Sequence, residues 1–538
     1  MPSWRSGQRF SSPRRKPDFH GRDIFYLHNR CFRKHCAARM GRQGMKKFEM
    51  DGVWSRTRPA LITLAAALSL AGCAALPAPP GVSAPVPLQW QAALPHQGSL
   101  TDLGQWWQQQ GDPLLVELIA AAQAVSPTVA SARSRIEQAR AARVAAGAAL
   151  LPALDASASL SRGRSQQVAG PDSVPVVTTA QAGLQAAWEI DLAGGNRASL
   201  DAAAQRLLGA DAQWHEARVS VAAEVANQYS SLRSCSALAD VTQLDAASRQ
   251  ETARLSALST QAGFTAPSAD ALARASAAEA RGRSTRQAAL CALDLKALVA
   301  LSGLTEPDLK QKLAVAQIER SQPAMLSIAS VPAEILAQRP DVFRAGREVA
   351  ASSAEVGSAQ AARYPRLGLS GSIGVAGLRA SGTTLSLDTW SIGPLTLSLP
   401  LLDGGRRAAN VEAAQARYEE AAALYRAAVR QAVREVEEAL VSLQSSQARQ
   451  GDAEAAVDGY RAAFTGTEAL YKNGLASLLQ LEDARRTLLA AETSRVSLQQ
   501  ERMAAGVALY RAVGGGWTPA LAPLQARSTA GQASAGVP

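Results

Sequence analysis

"LLPALDASASLSRG" spans residues 150–163, and within it Leu154, Ala156, Ala158 and Leu160 alternate with Asp155, Ser157, Ser159 and Ser161. Such alternation gives a β-strand one apolar and one polar face. A second segment, 181–190, alternates through Ala182, Leu184, Ala186, Trp188 and Ile190. The pattern returns later in the chain. "RYPRLGLSGSIGVAG" (363–377) carries Leu367, Leu369, Ile373 and Val375, and Leu395, Leu397 and Leu399 then alternate with Thr396 and Ser398. Period-two segments of about ten residues fit tilted strands with one face in lipid and the other on a polar lumen. The same pattern also describes an ordinary half-buried sheet. Four such strands cannot close a barrel, and open edges are not tolerated in hydrocarbon. If they enter a membrane they must join strands of other chains. The polar stretches 162–179 and 378–388 are expected to be external loops.

The return of the strands is part of a larger repeat. Gly194-Gly195 matches Gly404-Gly405, and "ALVALSGL" (297–304) matches "ALYRAVGG" (508–515) at nearly the same offset. One unit of about 200 residues therefore occurs twice, in the order helix, strand, strand, long helix, turn, helix. From Arg406 to Tyr471 there is no proline and little glycine, and Val411, Tyr418 and Tyr425, then Val429, Val436 and Leu443, recur at sevens. Leu200, Leu207, Trp214 and Val221 repeat that spacing in the first unit. A helix of this length runs to about 100 Å, suited to a coiled coil. A free-standing coiled-coil dimer fits the helices alone, but leaves the strands without a role.

Each long helix ends at a glycine-containing turn, "TQAGFTAPS" (260–268) and "YKNGLAS" (471–477), and a second helix returns. Cys235 lies 27 residues before Ala262 and Cys291 lies 28 after Gly263, so an antiparallel hairpin sets them at one height. In an oxidising compartment they are expected to pair; two inert buried thiols are the alternative.

Ala60 to Leu70 is an uncharged run of eleven residues behind Arg56 and Arg58, too short for the ~20 that span a bilayer as a helix and suited to a secretory signal. Its close, Leu70-Ala71-Gly72-Cys73, resembles the bacterial lipobox, which implies a diacylated Cys73; Ala74 implies sorting to the outer membrane. The expected divisions are a leader or misassigned start at 1–44, signal 45–72, Pro-rich tether 73–105, first repeat 106–304, linker 305–331, second repeat 332–517 and disordered tail 518–538. Beyond residue 72 the chain holds 41 Lys+Arg and 41 Asp+Glu, so its high isoelectric point carries no argument for nucleic acid. His96 and His215 are the only histidines left, and no phosphate loop or clustered Cys/His pattern occurs. No enzyme, cofactor or metal is expected.

"LAQRPDVFRAGREVAASSAEVGSAQAARYPRL" (336–367), "LPLLDGGRRAANVEAAQARYEEA" (399–421), "GLASLLQLEDARRTLLAAETS" (474–494) and "ALYRAVGGGW" (508–517) resemble the TolC-like outer-membrane efflux factors, in particular the OprM/NodT-type lipoproteins. The resemblance implies a homotrimer whose four strands per chain form a twelve-stranded β-barrel, continuous with a long α-helical barrel in the periplasm. It implies a channel for small molecules, with a periplasmic adaptor protein and an inner-membrane transporter, of the proton-driven RND type, as partners. It places adaptor contacts at Ala262, Gly263, Gly474 and Leu475. Leu479 and Asp483 map to the family's periplasmic gate and Tyr471 to a residue that locks the tip. Glu482 stands where the family carries an apolar residue, which leaves open which carboxylate faces the lumen; Glu482 and Asp483 pairing with Arg485 and Arg486 is the alternative. A lipid-anchored periplasmic scaffold, or the duct of a type I protein secretion system, are the other functions the pattern admits.

Overall fold

The computed structural model describes residues 79, 81–87, 90–92, 106–109, 111–164, 176–315, 336, 339–380 and 382–517. Cys73, the signal, and the segments 1–44 and 518–538 lie outside the described residues. The chain is mostly helical with one four-stranded sheet. Its elements are α1 (Trp106–Gln109), α2 (Pro113–Val125), α3 (Pro127–Ala148), β1 (Ala153–Arg164), β2 (Val176–Ile190), α4 (Gly195–Gln261), α5 (Pro267–Ser302), α6 (Glu306–Val315), α7 (Pro340–Ala361), β3 (Arg366–Ala380), β4 (Thr383–Ser398), α8 (Arg406–Ala448), α9 (Gln450–Lys472) and α10 (Leu478–Ala512).

Local chemistry sets these boundaries. Asp112 caps α2 by accepting the Leu115 N–H, and Ser126 caps α3 by accepting that of Val129, each with proline next in sequence. Ser477 and Gln480 form a reciprocal capping box at the start of α10. α4 runs unbroken for 67 residues. Its counterpart in the second repeat departs from the single helix expected over 406–471: α8 and α9 are separated at Arg449, with φ −80° and ψ −11°. The Ser442 and Ser446 hydroxyls bond back to the Glu438 and Leu443 carbonyls just before the break, and Gly451 follows it, so the α-helical ladder loosens there. The expected linker, 305–331, is described as far as residue 315. It opens with α6, whose Leu309 is fully buried.

The sheet is an antiparallel meander, β1-β2-β3-β4, with β1 and β4 unpaired on their outer sides among the described residues. The row Ala156, Leu184, Ile373 and Trp390 lies on one face; Asp155, Gln185, Ser372 and Ser391 lie on the other, where the last two hydroxyls sit 2.9 Å apart. Of the expected loop at 378–388, residues 378–380 and 383–388 are strand instead. Thr384 to Asp388 pair in unbroken register with Val375 to Arg379, and Gly382, just before β4, has φ +87°. Lower on β4, between the pairs Gly371–Ile392 and Leu369–Leu395, two residues (Gly393 and Pro394) face one on β3 (Ser370). That bulge, at Gly393-Pro394, brings Trp390 and Ile392 onto the face shared by Leu395 and Leu397.

Below the sheet the helices keep its order. Nearest the strands α3, α4, α7 and α8 pack side by side; farther away α5, α4, α10 and α9 do so. Among the described residues, the outer flanks of α3 and α8, and of α5 and α9, pack against no further long helix of the same chain. Midway along lies the main core, where Trp106 stacks on Tyr510 at 5.0 Å and Trp107 meets it edge-on at 4.8 Å, over Leu118, Val225, Leu298, Leu440 and Val513. The paired tryptophans are packing anchors. Residues at both ends of the tether's described part touch this body: Pro79 accepts from Ser353, and the Glu437 carboxylate takes the N–H groups of Gln91 and Ala92, both at 2.7 Å.

Candidate functional site

The end of the helical body farthest from the sheet is made of two hairpin tips. At the first, α4 stops as Gly263 turns left-handed (φ +80°) and Phe264 N–H bonds Ser259 O at 2.9 Å. At the second, Gly474 (φ +74°) lets Leu475 N–H bond Leu470 O at 2.8 Å. Both are the six-to-one closures of glycine-ended helices, and a side chain at either glycine would be strained. Ala262, Gly263, Gly474 and Leu475 are all exposed, as is Phe264, which sequence reasoning passed over.

α10 begins directly after the second tip, and its first turns divide by face. Leu478, Leu481 and Arg485 point into the subunit; Leu479 is 71% exposed and the Asp483 side chain 61%. These two lie four residues apart and so on one face of the helix. Asp483 accepts from Arg486 at 2.6 Å, a surface pair of small worth.

Glu482 has a different position. Its side chain is 14% exposed, pairs with Arg249 of α4, accepts from Ser276 of α5 at 2.8 Å and from Arg485 at 2.9 Å. Around it, Arg249 grips Asp245 at 2.9 and 3.0 Å, Arg283 reaches Asp245 at 3.1 Å, and Arg485 donates to Thr252 and Ser248 at 2.7 and 3.0 Å. Three helices, α4, α5 and α10, are joined by one buried ion cluster. Burial draws the Arg485 guanidinium down from its usual range, opposed by Glu482. Tyr471, half-buried at the end of α9, has its phenol pushed up by burial, with Arg485 opposing and Glu482 adding to the shift. Of the two carboxylates that sequence left undecided, Glu482 is therefore turned into the subunit and Asp483 out of it. Arg249 and Asp245 were missed from sequence, although an Asp and Arg four apart on the inward stripe of a helix is a readable sign.

Above the tips, Cys235 and Cys291 form a disulfide between α4 and α5, with Cα atoms 5.4 Å apart. Among the described residues no group of three or more His, Cys, Asp or Glu is placed to hold a metal, and no helix is long and apolar enough to cross a membrane.

The model of the family described as outer membrane efflux protein matches residues 118–304 and 331–515, one segment for each repeat. The pyoverdine export outer membrane protein OpmQ of Pseudomonas aeruginosa is 30% identical over 85% of this chain and 97% of its own. The solvent efflux pump outer membrane protein SrpC of Pseudomonas putida is 28% identical over 84% of this chain and 97% of its own. Among solved structures, the outer membrane protein VceC of Vibrio cholerae superposes with a TM-score of 0.66 at 28% identity, covering 77% of this chain and 99% of VceC. The twofold repeat, the four-stranded sheet and the long helical hairpins are thus those of a channel reaching from the outer membrane into the periplasm, and the chain belongs to the outer membrane efflux protein family.

Proposed function

We propose that three copies of this chain form the outer-membrane duct of a tripartite pump that moves small molecules outward, and that the chain carries out passage rather than chemistry. One observation carries the reading. The free edges of the sheet, β1 and β4, lie in register with the free helix flanks, α3 and α8 above and α5 and α9 below, so one rotation completes strands and helices together. In this assembly the apolar face of the sheet meets lipid and the Asp155, Gln185 and Ser372 face lines the lumen. Leu479 and Asp483 of three chains form an apolar ring beside an acidic ring, the periplasmic gate, with Tyr471 and the Glu482 cluster holding each tip closed. The periplasmic adaptor engages Ala262-Gly263 and Gly474-Leu475, and an inner-membrane transporter of the proton-driven RND type supplies the energy. No nucleic acid, cofactor or metal enters this scheme.

The tether supports a diacylated Cys73. Pro79 is held at Ser353, within the last turns of α7 before β3 begins. Six residues span at most ~20 Å, a reach sufficient for a lipid on Cys73 to enter the bilayer where the strands start. In planar bilayers the reconstituted protein is expected to give discrete conductance steps, and a thiol placed within 165–175 is expected to be labelled from outside intact cells. A silent bilayer together with labelling only after outer-membrane permeabilisation contradicts the duct.

A further inference from the structure

Along β4 the apolar residues change sides. Trp390 and Ile392 share the lipid face with Ile373 and Leu184, but above them Leu385 and Leu387 alternate with Ser386 and Asp388, and the register from Thr383 to Ile392 is unbroken. Leu385 and Leu387 therefore stand on the face of Ser391 and Ser372. Leu378 of β3 is directly opposite Leu385, in a row completed by Thr179 and Ser161, and Leu387 is opposite Ala376, beside Gln181. At this height the outward face carries Ser386, Asp388 and Thr384 on β4, opposite Gly377, Val375 and Arg379 of β3. Along β4 the usual distribution, apolar to lipid and polar to lumen, is inverted. Leu385 and Leu387 are each 50% exposed, so the sheet itself leaves much of their surface uncovered.

Resting on the duct reading above, we propose that Leu378, Leu385 and Leu387 of three chains form an apolar collar inside the external mouth, and that it binds the alkyl portion of cationic amphiphiles on their way out. Among the described residues the nearest formal charge on the same face is the Asp155 carboxylate, two positions below Ser157 and four below Ser159 on β1. A cationic head directed toward Asp155 leaves its tail against the leucines. Apolar side chains facing a water-filled lumen gain most from a cargo that covers them.

The test uses alkyltrimethylammonium ions of increasing chain length as blockers, added to the external side of reconstituted pores. In the wild type, block is expected to strengthen about twofold per methylene, half of the fourfold that complete removal from water gives. In L385S/L387S that dependence is expected to vanish. The same chain-length dependence in both proteins overturns the collar, whereas absence of any pore overturns the duct beneath it. Should the double variant fail to assemble, Leu385→Cys gives the answer: a water-soluble thiol reagent is expected to reduce its conductance and to leave Trp390→Cys unchanged. Reaction of Leu385→Cys with a lipid-soluble reagent alone contradicts the placement.

Discussion

Glu482 and Asp483 are neighbours with opposite duties, and single substitutions separate them. Asp483→Ala removes one surface pair and is expected to change stability by less than about 0.5 kcal/mol while raising resting single-channel conductance; an unchanged resting pore removes Asp483 from the gate. Glu482→Ala strands Arg249 and Arg485, 7% and 4% exposed, without their shared carboxylate, at an expected cost of about 3–5 kcal/mol, read as a fall in melting temperature. Arg339 makes a comparable buried hub, bonding Asp341 at 3.0 and 2.6 Å, Glu435 at 2.8 Å and the Ala512 carbonyl at 2.8 Å. Burial by itself would raise the Asp341 carboxyl, yet the Arg339 guanidinium holds it below the usual carboxylate range. A depressed carboxylate stabilises above its unfolded pKa, about 4, and loses that contribution as pH falls through the folded value. The melting-temperature gap between wild type and Asp341→Asn is therefore expected to be full near pH 7 and to close below about pH 4. A gap independent of pH contradicts the assignment. The tip glycines could be read from sequence because they follow from local spacing, whereas Leu479 and Asp483 are named only through the family resemblance, which leaves Glu482 and Asp483 undecided. The Glu482 cluster could not be read, because Asp245, Arg249, Ser276 and Arg485 come together only when three helices pack.

Among the elements, α4 and α5 are stapled by a disulfide that closes 56 residues of sequence separation. Cys235→Ser with Cys291→Ser is expected to lower stability by about 4 kcal/mol if the loss is that of loop closure, seen as equal melting temperatures for the variant and the reduced wild type. The pairing was legible as equal height in a hairpin. The division of α8 from α9 was not, since seven-residue spacing runs past Arg449 without a sign; only the serine back-bonds and Gly451 mark it. The bulge on β4 was likewise hidden, because Leu395 and Leu397 alternate correctly by themselves and so do Trp390 and Ile392. Only register shows that the two sets need an extra residue between them to share a face. Deleting Gly393 takes out that extra residue, so Ile392 and Leu395 come to lie two apart and share a face in a regular strand; the heat-modifiable oligomer on gels is expected to persist, and its loss contradicts this reading of the bulge.

At the scale of the whole molecule, the repeat decides the architecture. Two copies of one unit give four strands and a matching series of helices, and the outer elements, β1 and β4 above all, have a side that no described residue of the chain covers. Composition offers no catalytic cluster, and period-two alternation gives each strand one apolar face without deciding between lipid and an ordinary core; neither fixes how many chains complete the ring. Closure requires that four strands per chain be multiplied until the edges β1 and β4 meet, and three copies is what the resemblance to the TolC-like channels implies. The most direct measurement is the molar mass of the purified protein in detergent, by light scattering with the micelle subtracted. Three chains per particle is the predicted result; a stable single chain, with β1 and β4 left open in the micelle, contradicts the account.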